Sequence, residues 1–376
     1  MDSGRVSVRQ LDRQDLMDLL AGAAILGTGG GGDLAEGIGL IDDALARGKT
    51  FDLVALDDVP DDALICTPYM LGAISDLPAD EEAAYARLPR IDVPPILLAY
   101  DRFQEHLGQP FFGTVPCEMG GSNTAVAFYA AAMAGHKIVD ADPAGRAVPE
   151  ITHSTYFIAG LPAAPIVLAN EFGEVMVLEN IVDDMRAEAV DRALSVVSRN
   201  DIAAIDHAMP ASQLRDAIIP GTLSKALALG RAHRLAIEEW RDAVDVVAQR
   251  GDGEVVFRGE IVDCDWRTEG GFTLGSIDIA GHGQQDTSRY RISVKNENLV
   301  GWFDGAVHAT IPDLICLFDT ETGQAIQNPH YHVGQQVAVV ILPAPRAFLG
   351  PRGLAAFGPG YAGIDGQFTS PLSTQR

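Results

Sequence analysis

The sequence predicts an α/β N-terminal domain over residues 1–165 and an α+β C-terminal domain over residues 166–376 that contains a compact β subdomain. Three observations carry this reading. Short apolar runs alternate with helix-patterned segments through the first half, as in a layered α/β domain. After Gly251-Asp252-Gly253 the pattern changes to closely spaced alternating segments with turn residues between them, which suits a small β unit. And 376 residues exceed one ordinary domain and can bury large cores.

Taken in order, residues 12–26 place Leu16, Leu19, Leu20, Ala23 and Ala24 at helical spacing, with Asp12 as N-cap. The run Gly27-Thr28-Gly29-Gly30-Gly31-Gly32 stops that helix, and Asp33 with Glu36 at capping-box spacing starts the next, to residue 47. Residues 51–56, 63–67 and 96–99 read as buried strands, 124–134 as a helix of small residues, and 137–139 as a strand running into Asp140. In the second domain, 166–168 and 175–178 read as strands. Within the helical region 183–250, residues 183–198 and 212–250 read as the helices, the second with a break at Pro220-Gly221 and Thr222 capping the continuation. Residues 253–343 are β-rich, and the Pro- and Gly-dense tail, 344–376, is expected to hold no regular element.

Composition excludes several functions. Asp and Glu number 52 against 27 Lys and Arg, a net charge of −25, which repels nucleic-acid phosphates. No run of 18 apolar residues predicts a membrane span, and the charged N-terminus does not read as a signal peptide. Cys66, Cys117, Cys264 and Cys316 are widely spaced, with no CxxC pair for a zinc ribbon or redox site. The expectation is a cytoplasmic protein with a small-molecule substrate, no nucleic-acid or membrane partner, and room for a homo-oligomer.

Three clusters carry candidate chemistry. Gly29, Gly30, Gly31 and Gly32 precede a helix, where backbone N–H groups and the helix dipole favour an anion. The segment before them is helical and no Walker lysine follows, so no nucleotide is expected; a plain helix–helix turn is the other reading. Next, Pro116-Cys117-Glu118-Met119-Gly120-Gly121-Ser122-Asn123 sets a carboxylate and an amide beside glycines at a helix start. Asn123 reads as a ligand contact or a cap, and Cys117 as a nucleophile, a metal ligand or a small buried thiol. Third, residues 140–153 gather Asp140, Asp142, Arg146, Glu150 and His153 after a strand, where α/β sheets place their sites. Paired carboxylates suit proton transfer or a hard metal. Arg146 has the planar fork for a substrate carboxylate, or pairs with Glu150 in a turn. His330 and His332, two apart, are a metal pair or a solvated turn.

In this order the three clusters, with Gly221-Thr222-Leu223-Ser224-Lys225-Ala226, Lys295-Asn296-Glu297-Asn298-Leu299 and Pro312-Asp313-Leu314-Ile315, resemble the S-methyl-thiohydantoin desulfurase family. That family was long described as a domain of unknown function, often beside hydantoinases and oxoprolinases. The resemblance runs from about residue 12 to 365. It implies a hydrolase that converts an S-methylated thiohydantoin to the hydantoin with release of methanethiol. Rival readings are a different cyclic-amide hydrolase or a hydantoinase-associated subunit, and a nucleotide-dependent enzyme using the glycine loop. For the desulfurase, the candidate catalytic residues are Glu118, Asp140 and Asp142. Gly29 to Gly32, Asn123, Arg146 and Glu150 would contact a substrate that bears a carboxylate. A divalent metal, zinc first, fits the reaction, with His153, Cys117, His330 and His332 as candidate ligands.

Overall fold

Asp12 starts the first helix, Arg13–Leu26, by accepting the Asp15 N–H at 2.8 Å, and Asp33 starts Leu34–Ala46 by accepting those of Ala35 and Glu36. The computed structural model describes residues 6–72 and 79–372; residues 1–5 and 373–376, the outer ends of the two expected domains, lie outside the described residues.

Among the described residues nine strands form a mixed sheet: β1 (Val8–Leu11), β2 (Phe51–Ala55), β3 (Leu64–Gly72), β4 (Gly113–Thr114), β5 (Lys137–Asp142), β6 (Ile166–Ala169), β7 (Val175–Leu178), β8 (Asp201–Pro210) and β9 (Ile219–Pro220). Their order is β1-β2-β5-β4-β3-β8-β6-β7, with β9 paired to β5. The centre, β2-β5-β4-β3, is parallel and the flanks are antiparallel. A second, antiparallel sheet of seven strands curls into a half-barrel: β10 (Glu254–Glu269), β11 (Phe272–Gly281), β12 (Arg289–Lys295), β13 (Glu297–Phe303), β14 (Ala306–Thr310), β15 (Leu314–Asp319) and β16 (Gln336–Leu342), in the order β14-β13-β12-β11-β10-β16-β15.

Period-two alternation tells how the layers stack. Leu53, Val167, Ala203 and Ile205 face one core; Val54, Ile166, Leu168, Ile202 and Ala204 face others on the opposite side of the first sheet. In the second sheet Leu314, Cys316, Phe318, Ala338 and Val340 join the first of these cores, while Ile315, Leu317, Val337 and Val339 fill the inside of the half-barrel. Helices Arg13–Leu26, Thr222–Glu238 and Ala243–Arg250 contribute Leu16, Leu20, Leu223, Leu227 and Val247 to the shared core, so they knit the two sheets together. No helix among the described residues is long and apolar enough to cross a membrane.

The structure departs from the sequence expectations at four places. The 165/166 division cuts the first sheet, because β6, β7 and β8 complete its edge. Residues 96–99 are helical, within Pro95–Leu107: Pro95 occupies the first helical turn, and Ile96, Ala99, Tyr100 and Phe103 make a helical apolar stripe. Between the helical stretches 183–198 and 212–250 the chain forms β8, a strand the sequence reading did not assign, because its Ile202–Ile205 run is buried on both faces and lacks a solvent-facing alternation. The tail holds a short helix, Pro351–Phe357, begun by Pro351 and anchored by buried Phe357.

Helices Arg13–Leu26 and Thr222–Glu238 touch backbone to backbone. A Cβ at Gly22 would lie 1.8 Å from the Ala226 carbonyl oxygen, and one at Gly230 the same distance from that of Asp18. Gly230→Ala is therefore expected to cost about 1–3 kcal/mol through forced separation of the helices. Urea unfolding checks this; a variant as stable as the parent would show that the crossing is looser than described.

Candidate functional site

The glycine run is the place where three separate segments meet. A Cβ on Gly30 would fall 1.9 Å from Glu297 Oε1, and one on Gly31, at φ +76°, 2.4 Å from the Gly120 Cα. Only hydrogen fits in both gaps. The Gly31 carbonyl accepts the N–H groups of Ser122 and Asn123, and that of Gly29 accepts the Asn328 N–H at 2.8 Å. Gln327 Oε1 accepts the Leu34 N–H at 2.9 Å, and the Gln327 side-chain amide donates to the Gly32 carbonyl. The loop thus joins the two domains, and Gly29 to Gly32 form one wall of a cavity of about 630 Å³ at their junction.

Glu118 lies on the same cavity, buried, with both carboxylate oxygens held. Oε1 accepts from Asn123 Nδ2 at 2.7 Å and Oε2 from the Val148 N–H at 2.7 Å. Burial pushes its pKa up to about 7, against the pull of those two donors, with Asp142 adding to the rise and Arg146 opposing it. Asn123 does not cap its own helix: its Oδ1 accepts the Met70 N–H at 2.9 Å, so it bridges β3 to Glu118. Cys117 is also on the cavity. Burial, then the carboxylates of Glu118, Asp206 and Asp142, hold its thiol well above the ordinary value, which keeps it protonated.

The third cluster splits. Glu150 lines the cavity and is gripped by Lys295 Nζ at 2.7 Å and Tyr361 OH at 2.5 Å. Asp140 and Asp142 do not line it. Asp140 accepts the Ser224 N–H at 3.0 Å and its hydroxyl at 2.5 Å, which does the capping of helix Thr222–Glu238 expected of Thr222. Asp142 is fully buried, pushed up to about 6 by burial, and accepts the N–H groups of Ala144 and Gly145. Arg146 is fully buried and off the cavity. It does not pair with Glu150. Its Nε donates to the Ala147 carbonyl, Nη1 to those of Pro312 and Asp313, and Nη2 to Thr28 Oγ1, all between 2.8 and 3.0 Å. Its planar fork is spent on the protein's own carbonyls.

Two groups on the cavity were not singled out as site residues from sequence. Glu297, at the start of β13, is buried beside Gly30; its Oε2 has no hydrogen-bond partner among the described residues, and burial, then the Glu118 charge, raise its pKa well above the carboxylate range. Asp206 and His207, adjacent on β8, form a buried pair with Nδ1 2.8 Å from Oδ1. Neither stood in a glycine-rich stretch; for Asp206 and His207 the signal available was a charged pair inside an otherwise apolar strand, whereas Glu297 sits in the polar run Lys295-Asn296-Glu297-Asn298.

A divalent metal, implied by the family resemblance, finds no fitting donor set: no group of three or more His, Cys, Asp or Glu side chains among the described residues is arranged to hold one. The four candidate ligands do not form one such group. His153 is enclosed by the Phe357 and Tyr361 rings at 4.6 and 4.3 Å, and burial pushes it down to about 3. His330 stands at the cavity mouth 3.7 Å from Asp33, His332 Nδ1 sits 3.2 Å from the Val333 carbonyl, and Cys117 is on the inner wall.

The architecture and site define a two-domain protein with an acid-lined cavity at the domain junction. Residues 14–180 match the S-Me-THD-like N-terminal domain and residues 182–370 the S-Me-THD-like C-terminal domain, so the chain belongs to the S-Me-THD-like family. It is similar to the crystal structure of a protein from Chromobacterium violaceum, solved by a structural-genomics consortium, with 25% identity and a TM-score of 0.74, over 96% of this chain and 99% of that one. No curated protein matches the chain.

Arg146→Ala is expected to strip partners from three buried carbonyls and destabilise the fold by about 3 kcal/mol or more. Denaturant midpoints check this. Parent-like stability together with an impaired KM for a carboxylate-bearing substrate would return Arg146 to a substrate role.

Proposed function

We propose that the chain hydrolyses an S-methylated thiohydantoin to the hydantoin and methanethiol, with Glu118 as the general base. The observation that carries the reading is the state of Glu118: a cavity carboxylate fixed through both oxygens and poised near neutral pH. Family membership supports the substrate class, and the cavity volume of about 630 Å³ suits a small ring.

The reacting carbon lies between two ring nitrogens and a thioether sulfur. Glu118 takes a proton from water as its oxygen adds to that carbon, and hands the proton to the ring nitrogen that addition makes basic. The adduct then expels the sulfur, which leaves as methanethiol once it gains a proton. Asn123 and the Val148 N–H keep Glu118 in one position through these transfers, which is worth more than raw basicity in such a step. Cys117, held as a neutral thiol, is a wall of this cavity rather than its nucleophile. A substrate carboxylate would meet Arg199 at the mouth. That side chain is paired with the partly exposed Glu82 and Glu171, and ion pairs of this kind yield readily to a competing anion. The other cavity arginine, Arg192, is committed to Glu188 and to the carbonyls of Pro149 and Gly271.

Glu118→Gln is expected to fold normally and to lower methanethiol release by ~10²-fold or more. A thiol-reactive dye reads the product; unchanged turnover would remove Glu118 from the chemistry. The sign of the pH dependence follows from the raised pKa. The base is active when ionised, so the limb of kcat/KM that reports it should rise as pH increases through about 7. Glu118→Gln should abolish that rise, and a profile that falls across the same range would refute the assignment.

A further inference from the structure

His207 is held in an unusual way for a residue inside a strand. Its backbone φ is +44°, a region that non-glycine residues rarely occupy. The cause is a bulge: between Ile65 and Thr67 on β3 the pairing jumps from Met209 to Asp206 on β8, so two residues oppose one. The His207 N–H leaves the ladder and donates to the Ala163 carbonyl at 3.2 Å. The distortion lets neighbouring residues Asp206 and His207, which an unbroken strand would point to opposite faces, meet side by side at 2.8 Å.

The rest of the surroundings fix the ring and leave one atom free. Tyr69 OH donates to the other Asp206 oxygen at 3.1 Å, and the Tyr156 ring lies over the imidazole with centroids 4.2 Å apart. Nδ1 is committed to Asp206. Nε2 is buried and has no hydrogen-bond partner among the described residues. Asp206, His207, Tyr69, Tyr156 and Thr67 all line the cavity that holds Glu118. An orienting carboxylate and an unfilled ring nitrogen on the cavity are what a proton-transfer group uses, and a packing histidine needs neither; the strained backbone is what brings Asp206 and His207 together.

Resting on the thiohydantoin reading above, we propose that His207, oriented by Asp206, is the general acid that protonates the departing sulfur. His207 enters the step as imidazolium, with Nδ1–H donated to Asp206 and Nε2–H directed to the thioether. The carbon–sulfur bond breaks and its electron pair goes to sulfur, which takes the Nε2 proton and leaves as methanethiol. The adduct's hydroxyl oxygen closes to the carbonyl and releases its proton to the Glu118 carboxylate. Water in the cavity returns that proton to His207. Of the two hydrogens of the consumed water, one ends on the ring nitrogen and one balances the thiol.

The test compares two substrates that differ only in the need for an acid: an S-methyl thiohydantoin, and its S-(4-nitrophenyl) analogue, whose thiolate leaves without help. His207→Gln is expected to lower kcat/KM for the S-methyl compound by ~10²-fold or more and for the aryl compound by less than about tenfold. Asp206→Asn, which preserves shape, should show the same selectivity. Glu118→Gln should impair both substrates alike, since water must add to either. Equal losses on the two substrates in the His207 and Asp206 variants would overturn the proposal and leave the reaction assignment standing. A parent enzyme inert toward both compounds would overturn the reaction assignment, and this proposal with it.

Discussion

One buried guanidinium organises the junction on which the cavity depends. Arg146 comes from the loop after the central strand β5, yet its donors reach Thr28 in the glycine loop and the Pro312 and Asp313 carbonyls of the C-terminal domain. Its own carbonyl accepts the Met119 N–H at 3.1 Å, beside Glu118, and its charged carbon sits 5.0 Å from the centre of the Phe357 ring. The glycine loop, the Glu118 loop, the half-barrel and the tail are thus referenced to a single side chain. Lysine would not serve: a point charge cannot address four acceptors spread around one plane.

That cation stands in a strongly acidic interior. Glu118, Glu297, Asp142 and Asp191 are all buried, and burial raises the proton affinity of each, Asp142 to about 6, Glu118 to about 7 and Asp191 to about 8. The linkage has a definite sign. An acid whose folded pKa lies above its unfolded one favours the fold at low pH, and that contribution is lost as pH rises through the folded value. Between about pH 6 and 8 the interior is therefore asked to accept charge step by step. Burial even drives Arg146 down, to about 10, with Glu297, Asp313 and Glu118 resisting the fall. The energetic tension is the one expected where proton transfer is meant to occur near neutrality.

Local pattern made part of this legible from sequence. The caps at Asp12 and Asp33, the two glycine-bearing loops and the closely spaced strands of the half-barrel follow from neighbouring residues, and the ordered motifs indicated the family. The failures are all non-local. Residue 146 looks like a ligand for an anion because the carbonyls that consume it lie 166 and 167 residues away. Asp140 and Asp142 look like a catalytic pair, but Asp140 is taken up at a helix N-terminus by Ser224 and Asp142, at the strand's end, by the N–H groups of its own turn. β8 escaped notice because a strand buried on both faces has no alternation, and with it went Asp206 and His207. Glu297 reads as one charge in a polar stretch until Gly30 is found against it.

The glycine run had two readings, an anion cradle or a turn, and the contacts favour a different role. Its backbone is pressed against Glu297, Gly120 and Asn328, so its lack of side chains is used up in bringing chain to chain. A carboxyl sits at Gly30, where a phosphate cradle would need open space. The consequence reaches the chemistry. The first sheet and its loops supply Glu118, from the loop after β4, and Asp206 and His207, from β8, whereas Glu297, Gln327 and Asn328 come from the half-barrel side, and the glycine loop is what lets the two sets face one cavity. A side chain at Gly30 would act by holding the domains apart and displacing Glu297, with its effect on binding following from that.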